Sequence, residues 1–326
     1  MKISREMKII AALSLFMLTF GCITQEEIPK SYEDIKILYA GSKISKVAPN
    51  TSTFVVITVL NNVLGEEAKN IIVSLENVEP FLVIEPNSTK EECKRGCDPN
   101  TLRNWNSFFG YTCDTGKEVR QHCMSRLAPG DIVDFFWILK APTSGQIGNM
   151  VYTHKMYYTI TYDYTATVIY RIAAINEMER IAGRRTSNYV INSTASPIRF
   201  EGQTADLSVT YSSNSARKGY LLFALSPEPG AGGTLAENMT VRVEYPNSNY
   251  LGGVRSEVED LGWKVSGNTV EREVTPLEFG MGMNFKLPIY LPPSSDPVKN
   301  LDFNITFSYK FIKYGSFDLT VVPIKV

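Results

Sequence analysis

The chain has 326 residues, a formal net charge of -1, two histidines and five cysteines. That length accommodates about two domains of ordinary size. The charge gives no reason to expect nucleic acid, and so few histidines remove most metal and acid–base sites before any motif is sought. Aromatic residues make up 11% of the chain, and with plentiful Val, Ile and Thr they favour strand over helix.

Lys2, Arg5 and Lys8 precede an uncharged, almost wholly apolar run from Ile9 to Phe20, closed by Gly21 and Cys22. Twelve residues rising ~1.5 Å each cover about 18 Å, short of a hydrocarbon core of about 30 Å. Residues 1–22 therefore read as an export signal. Its end, Leu18-Thr19-Phe20-Gly21-Cys22, resembles the lipobox of prokaryotic lipoproteins, in which the Cys becomes the first mature residue and carries a thioether-linked diacylglycerol. The resemblance implies a protein anchored to the outer face of the cell membrane by a lipid on Cys22, with two acyl chains sufficient for stable anchoring. Cys93, Cys97, Cys113 and Cys123 then remain, an even set that can pair completely in an oxidising compartment.

Residues 23–48 are expected to hold a linker and a first strand. Thr53–Leu60 and Asn70–Leu75 are β-branched runs separated by a turn through Asn61, Asn62 and Gly65. Ile132–Leu139 follows the Pro129-Gly130 turn, and Tyr157–Tyr164 with Thr167–Ile172 reads as a hairpin. Residues 176–196 turn polar and read as a linker, with a short helix over Asn176–Ala182. Strand patterns resume at Ala205–Thr210 and continue to Val326. Many short strands with almost no amphipathic helix predict an all-β chain: two tandem Ig-like β-sandwich domains, 49–175 and 197–326, after the signal segment.

The two halves echo each other. Ala68–Leu75 parallels Ala236–Val243, Phe136–Pro142 parallels Leu287–Pro293, and Tyr158–Tyr164 parallels Phe303–Tyr309, in the same order. The offsets are 168, 151 and 145 residues, so the N-terminal copy is longer by 17 between the first two landmarks. That interval holds all four remaining cysteines, and residues 86–126 read as an excursion added to a shared scaffold. Val59–Leu75, followed by Leu127-Ala-Pro-Gly-Asp131, resembles the CARDB-type and S-layer-associated Ig-like domains of prokaryotic surface proteins. The resemblance covers about residues 50–175, with a fainter echo over 200–326. It implies adhesive or spacer modules with no shared catalytic residues, and fold alone does not establish function.

Cys93-Lys-Arg-Gly-Cys97, Cys113 and His122-Cys123 lack the paired Cys-x-x-Cys of a zinc ribbon, so two disulfides are expected, in any of three connectivities. Trp105, Phe108, Phe109 and Tyr111 form either a satellite core beneath those bridges or a contact surface for an envelope protein or glycan. Gly230-Ala-Gly-Gly233 lacks the Lys-Ser/Thr ending of a phosphate loop and is read as a turn. No HExxH, GxSxG or dinucleotide fingerprint occurs. No catalytic residue, metal or cofactor is assigned. Asn50, Asn87, Asn192 and Asn238 are candidate glycan acceptors, and a fifth sequon at Asn304 falls inside a predicted strand.

The composite reading is a lipid-anchored surface protein acting as a non-catalytic binding or structural module of the cell envelope. The alternatives are the lipid-anchored solute-binding component of a transporter, which lacks here the βαβ periodicity of its usual lobes, and a β-sandwich hydrolase whose carboxylates meet only in space. Replacing Cys22 with Ser is expected to abolish lipid labelling and to release the protein from membranes or leave it as precursor. Membrane fractionation with metabolic lipid labelling checks this.

Overall fold

Two strands dominate the chain: β9 (Tyr152–Asn176), with 25 residues, and β19 (Val298–Val321), with 24. They pair antiparallel from Tyr152↔Val321 to Ile175↔Val298 without a register shift. In β9 the even positions Met156 to Ile172 are all buried, and in β19 nearly every odd position from Leu301 to Val321 is buried. Side chains alternate faces along a strand, so this unbroken period keeps one face of the pair against the core along its whole length. Gly315 lies opposite Tyr158, where a Cβ would sit 2.1 Å from the Tyr158 hydroxyl. The missing side chain makes room for the ring.

The computed structural model describes residues 34–44, 46–84, 111–114, 120–148, 150–184, 186, 188–202 and 209–323. The N-terminal half contributes β1 (Ile35–Ser42), β2 (Lys46–Val47), β3 (Ser52–Asn61), β4 (Ala68–Glu76), β5 (Leu82–Ile84), β6 (Tyr111–Asp114), β7 (Arg120–Leu127), β8 (Ile132–Lys140) and the short helix α1 (Ser144–Ile147). After β9 come α2 (Glu177–Ile181), β10 (Tyr189–Ser193), β11 (Ile198–Gly202), β12 (Thr210–Tyr211), β13 (Arg217–Pro227), β14 (Gly233–Leu235) and β15 (Met239–Glu244). The chain finishes through α3 (Asn249–Gly252), α4 (Arg255–Asp260), β16 (Lys264–Ser266), β17 (Thr269–Val274), α5 (Pro276–Gly280), β18 (Met283–Leu291) and β19.

These strands form a 12-stranded sheet whose main path runs β16-β17-β15-β19-β9-β4-β7-β6, a four-stranded sheet β1-β3-β8-β5 and a three-stranded sheet β11-β13-β18. The protein is all-β. Each smaller sheet covers one half of the large one. The edge of His122 on β7 meets Trp137 on β8 with centroids 4.6 Å apart, closing the first half. Tyr170 of β9 packs on Phe200 of β11 at 5.4 Å, and Phe200 on Phe307 of β19 at 6.4 Å, closing the second.

The repeat seen in the sequence now has a geometric meaning. The offset of 145 makes Tyr309 the counterpart of Tyr164, and those two residues are cross-strand partners at the centre of the β9–β19 ladder. Antiparallel pairing of equivalent strands at equivalent residues is what a two-fold axis through that point produces. The topology agrees: β4, β7 and β6 lie outward of β9 in the order in which β15, β17 and β16 lie outward of β19. β12 pairs parallel with Ile175 and Asn176, and β2 pairs with their counterparts Thr320 and Val321. Each long strand therefore begins in one half and ends in the other, and Tyr32–Val326 clusters as one compact unit.

Several expectations change. The predicted hairpin over 157–172 is one continuous strand, because Thr165 and Ala166 supply no turn chemistry and the buried phase runs on through Tyr164, Ala166 and Val168. The offset of 151 for the second landmark is out of phase: it equates the exposed Phe136 with the buried Leu287. The buried Phe135, Trp137, Leu139 and Ala141 match Phe285, Leu287, Ile289 and Leu291 only at an even offset. The excursion 86–126 is not wholly an addition, since β6 and β7 fill the sheet positions that β16 and β17 fill on the other side. Segment 176–196 is where the chain passes between halves. It carries α2, capped by the Asn176 side chain accepting from Met178 N–H at 3.0 Å, and β10, which is hydrogen-bonded to β9.

Strand exchange makes the halves interdependent. Residues 23–195 and 196–326, expressed separately, are expected not to give cooperatively folded monomers, because each loses strand pairing and core from the other. Co-expression is expected to restore a one-to-one complex. Size-exclusion chromatography with circular dichroism checks this.

Candidate functional site

Most residues singled out by sequence fall outside the described set: Cys22, Asn87, Cys93, Cys97, Trp105, Phe108 and Phe109. Tyr111 and Cys113 lie on β6 and pair with Cys123 and Gln121 of β7, and only their backbone is described. Cys123 is buried on β7. His122, which a zinc reading would recruit, is buried instead between the sheets, with Nε2 2.8 Å from the Phe136 carbonyl oxygen and the ring against Trp137. Among the described residues no three His, Cys, Asp or Glu side chains converge as metal ligands. Asn50, Asn192 and Asn238 are exposed. The Gly230–Gly233 segment is a turn, with Gly230 and Gly232 at φ of 86° and 67°.

Three features stand out as surfaces or sites. The first is the outward face of the four-stranded sheet. A solvated face of an antiparallel sheet is ordinarily polar. Here Phe54 and Val56 of β3 lie beside Ile138 and Phe136 of β8, and Leu82 and Ile84 of β5 extend the row. Phe54 is 52% exposed and Leu82 68%. Lys43, Ile44, Phe54, Val56, Asp134 and Phe136 line a shallow depression of about 380 Å³. Its polar rim is held by Thr58 Oγ1 donating to Asp134 Oδ1 at 2.7 Å.

The equivalent face in the other half is different. The outward positions of β13 and β18 carry Lys218, Tyr220, Asn284, Lys286 and Tyr290 interspersed with Leu222, Ala224 and Pro288. Lys286 stacks on Tyr220 with Nζ 4.1 Å from the ring centroid, and Lys218 pairs with Glu257 of α4. Two faces built on one scaffold have diverged, one to a charged aromatic surface and the other to an apolar one. Sequence carried a signal for this that composition alone did not reveal: Thr53–Leu60 and Ile132–Leu139 are nearly continuous apolar runs, which mark strands apolar on both faces.

The second feature is a polar groove of about 550 Å³ on the pseudo-two-fold axis, where Glu66, Glu67, Lys69 and Asp163 face Glu237 and Lys310. Lys310 pairs with Glu237. Asn238 lines this groove, so a glycan on it would occupy the space.

The third feature is internal. Asp34 is fully buried beside Lys313 of β19, itself 3% exposed. Asp34 Oδ1 accepts from Ile35 N–H at 2.6 Å and from the Tyr162 hydroxyl at 2.9 Å, while Lys313 Nζ lies 3.9 Å away and donates to the Ile35 carbonyl oxygen. Burial pushes the Asp34 carboxyl up to about 6 against the pull of Lys313, and pushes the Tyr162 and Tyr309 hydroxyls well above the usual tyrosine range.

No family model matches the chain, and no curated protein matches it in sequence. Among solved structures it is similar over 90% of its length to red sea bream transglutaminase, at 10% identity and a TM-score of 0.20, and it spans 32% of that protein. It is similar over 89% of its length to the Enterococcus faecalis MSCRAMM ACE, which binds its ligands by the collagen hug model, at 10% identity and a TM-score of 0.20, covering 96% of that chain. The C-terminal globular domain of the Pyrococcus abyssi oligosaccharyltransferase aligns over 90% of this chain and 50% of its own, at 8% identity and a TM-score of 0.25. Likenesses of this size carry no argument about activity. Among the described residues no helix is long and apolar enough to cross a membrane.

The two sides of β8 are expected to respond differently to substitution. Phe54→Ser and Phe136→Ser on the outward face are expected to change stability by about 1 kcal/mol or less. Trp137→Ala, on the buried face, is expected to cost about 3–5 kcal/mol. Urea unfolding of the three variants checks this.

Proposed function

We propose that this chain is an exported, lipid-anchored protein of the cell surface that works as a non-catalytic binding or structural module of the envelope. The observation that carries the reading is the open apolar face of β1-β3-β8-β5, set against the mixed face of the other half, where Lys218, Lys286 and tyrosines interrupt the apolar positions. A contiguous apolar patch on a sheet face that is ordinarily polar is the mark of a contact surface. Its depression is lined by aromatic and aliphatic side chains with few polar groups, which suits an apolar anchor from a protein partner better than a glycan.

Two further arguments support this reading. β5 ends on that face at Ile84, and the segment with Trp105, Phe108, Phe109 and Tyr111 follows it directly in the chain. The proposal adds these residues to the contact surface, with Cys93, Cys97, Cys113 and Cys123 closed into two disulfides that lower the ordering cost of binding. Cys22 stands twelve residues before Asp34. Twelve residues of any chain span at most about 40 Å, so a lipid on Cys22 would hold Asp34 within that distance of the membrane surface.

The test is crosslinking in cells with a photoreactive residue at position 132, at the edge of the apolar face. An envelope protein captured by the wild-type chain and lost in Phe54→Ser/Phe136→Ser is expected, with folding unchanged by circular dichroism. Equal capture by both forms would show that this face is not the contact surface.

A further inference from the structure

We propose that Lys313 and Asp34 join in an intramolecular amide that ties the first strand to the last. Lys313 Nζ is the nucleophile and Asp34 Cγ the electrophile. The ammonium passes one proton to the carboxylate, giving a neutral amine and a neutral acid. Nζ then bonds to Cγ, the bond from Cγ to Oδ2 breaks, and a second Nζ proton leaves with Oδ2 as water. No oxidant, cofactor or partner chain is required.

The geometry around the carboxyl is asymmetric in the way this step needs. Both hydrogen-bond donors, Ile35 N–H and the Tyr162 hydroxyl, converge on Oδ1 at 2.6 and 2.9 Å. Two donors on one oxygen stabilise the charge that develops there when a nucleophile adds to the carbon. Oδ2 has no hydrogen-bond partner among the described residues, so the oxygen that must leave is the unrestrained one. Lys313 Nζ is held beside the carboxyl by its bond to the Ile35 carbonyl oxygen, which converts a two-body reaction into a positioned one.

The surroundings favour the product. Every other ion pair described keeps both side chains at 27% exposure or more, whereas this pair is sealed. Two opposite charges held away from water pay a desolvation penalty that their attraction only partly returns. A neutral amide removes that penalty, and the burial of both side chains limits the access of solvent that hydrolysis would need. Burial also favours the protonated acid, the form that an amine attacks. The consequence is mechanical: β1 and β19, 278 residues apart at Ile35 and Lys313, become covalently continuous.

Intact mass spectrometry of the purified full chain, reduced and corrected for any lipid, is the test. The expected result is a deficit of one water, with a branched peptide joining the segments of Lys313 and Asp34 after proteolysis. Lys313→Arg and Asp34→Ala are expected to restore the full mass. A wild-type chain of full mass, or a deficit mapping to other residues, overturns the proposal, and this holds even if neither variant folds. Stability against pH is an independent readout. An unreacted Asp34, with its folded value raised from 3.8 to about 6, stabilises the fold at low pH and loses that contribution as pH rises through about 6. The bonded protein is expected to show no such fall between these values, and observing it in the wild type would overturn the proposal.

Discussion

The antiparallel pairing of β9 with β19 is the constraint on which the rest of the molecule depends. Each strand keeps one buried phase through its whole length, and the ladder has no shift that would let the halves separate. A one-residue slip anywhere along it would turn Tyr162, Tyr170, Phe303 and Phe307 from the core to solvent. The register thus fixes both cores at once. It also fixes the axis, because only a ladder centred on Tyr164 and Tyr309 brings equivalent outer strands to equivalent places. Isologous pairing of this kind is familiar between subunits. Here one chain supplies both partners, so association costs no concentration-dependent entropy.

Burying polar groups at the junction is the cost of that arrangement. The exchange brings the C-terminal part of β19 under the N-terminal four-stranded sheet, and Lys313 arrives there with Asp34 as its counter-charge. Tyr162, Tyr164 and Tyr309 surround the site with hydroxyls that must each find a partner in a dry setting. Tyr164 accepts from Glu66 N–H at 2.6 Å and Tyr309 lies 3.2 Å from the Ser196 hydroxyl. The strand that enters from the other half is therefore recognised by polar complementarity as well as by apolar burial. A one-residue slip would carry Lys313 out to solvent and leave Asp34 buried without its counter-charge.

Symmetry in the scaffold makes the asymmetries informative. The polar groove on the axis draws lining residues from both halves, as any feature on a two-fold must. The outward faces of the two small sheets are not so constrained, and they have diverged: Phe54, Val56 and Phe136 on one, Lys218, Tyr220 and Lys286 on the other. The core positions beneath them are aromatic and aliphatic in both halves, with Phe135 and Trp137 matching Phe285 and Leu287 in phase. The halves differ where packing against the shared sheet does not constrain the side chain.

Periodicity in the sequence was enough to indicate the all-β class, strands over 53–60, 70–75 and 132–139, a short helix over 176–182 and an internal echo between the halves. The exact strand ends and the Asn176 cap came from the structure. Local pattern fails at three particular places. Tyr157–Ile172 reads as a hairpin because strands average only about 5–6 residues, although Thr165 and Ala166 between its halves are not turn-favouring residues. The Phe136 to Leu287 alignment slips by one because composition alone does not reveal which member of an apolar pair is buried. The Asp34–Lys313 site is invisible, since its members lie at opposite ends of the chain and neither sits in a motif. The reason is common to all three. A strand's own residues specify which of its faces is apolar, whereas the strand that will cover that face, and the charge that will meet a buried carboxyl, are decided only when distant segments close on one another.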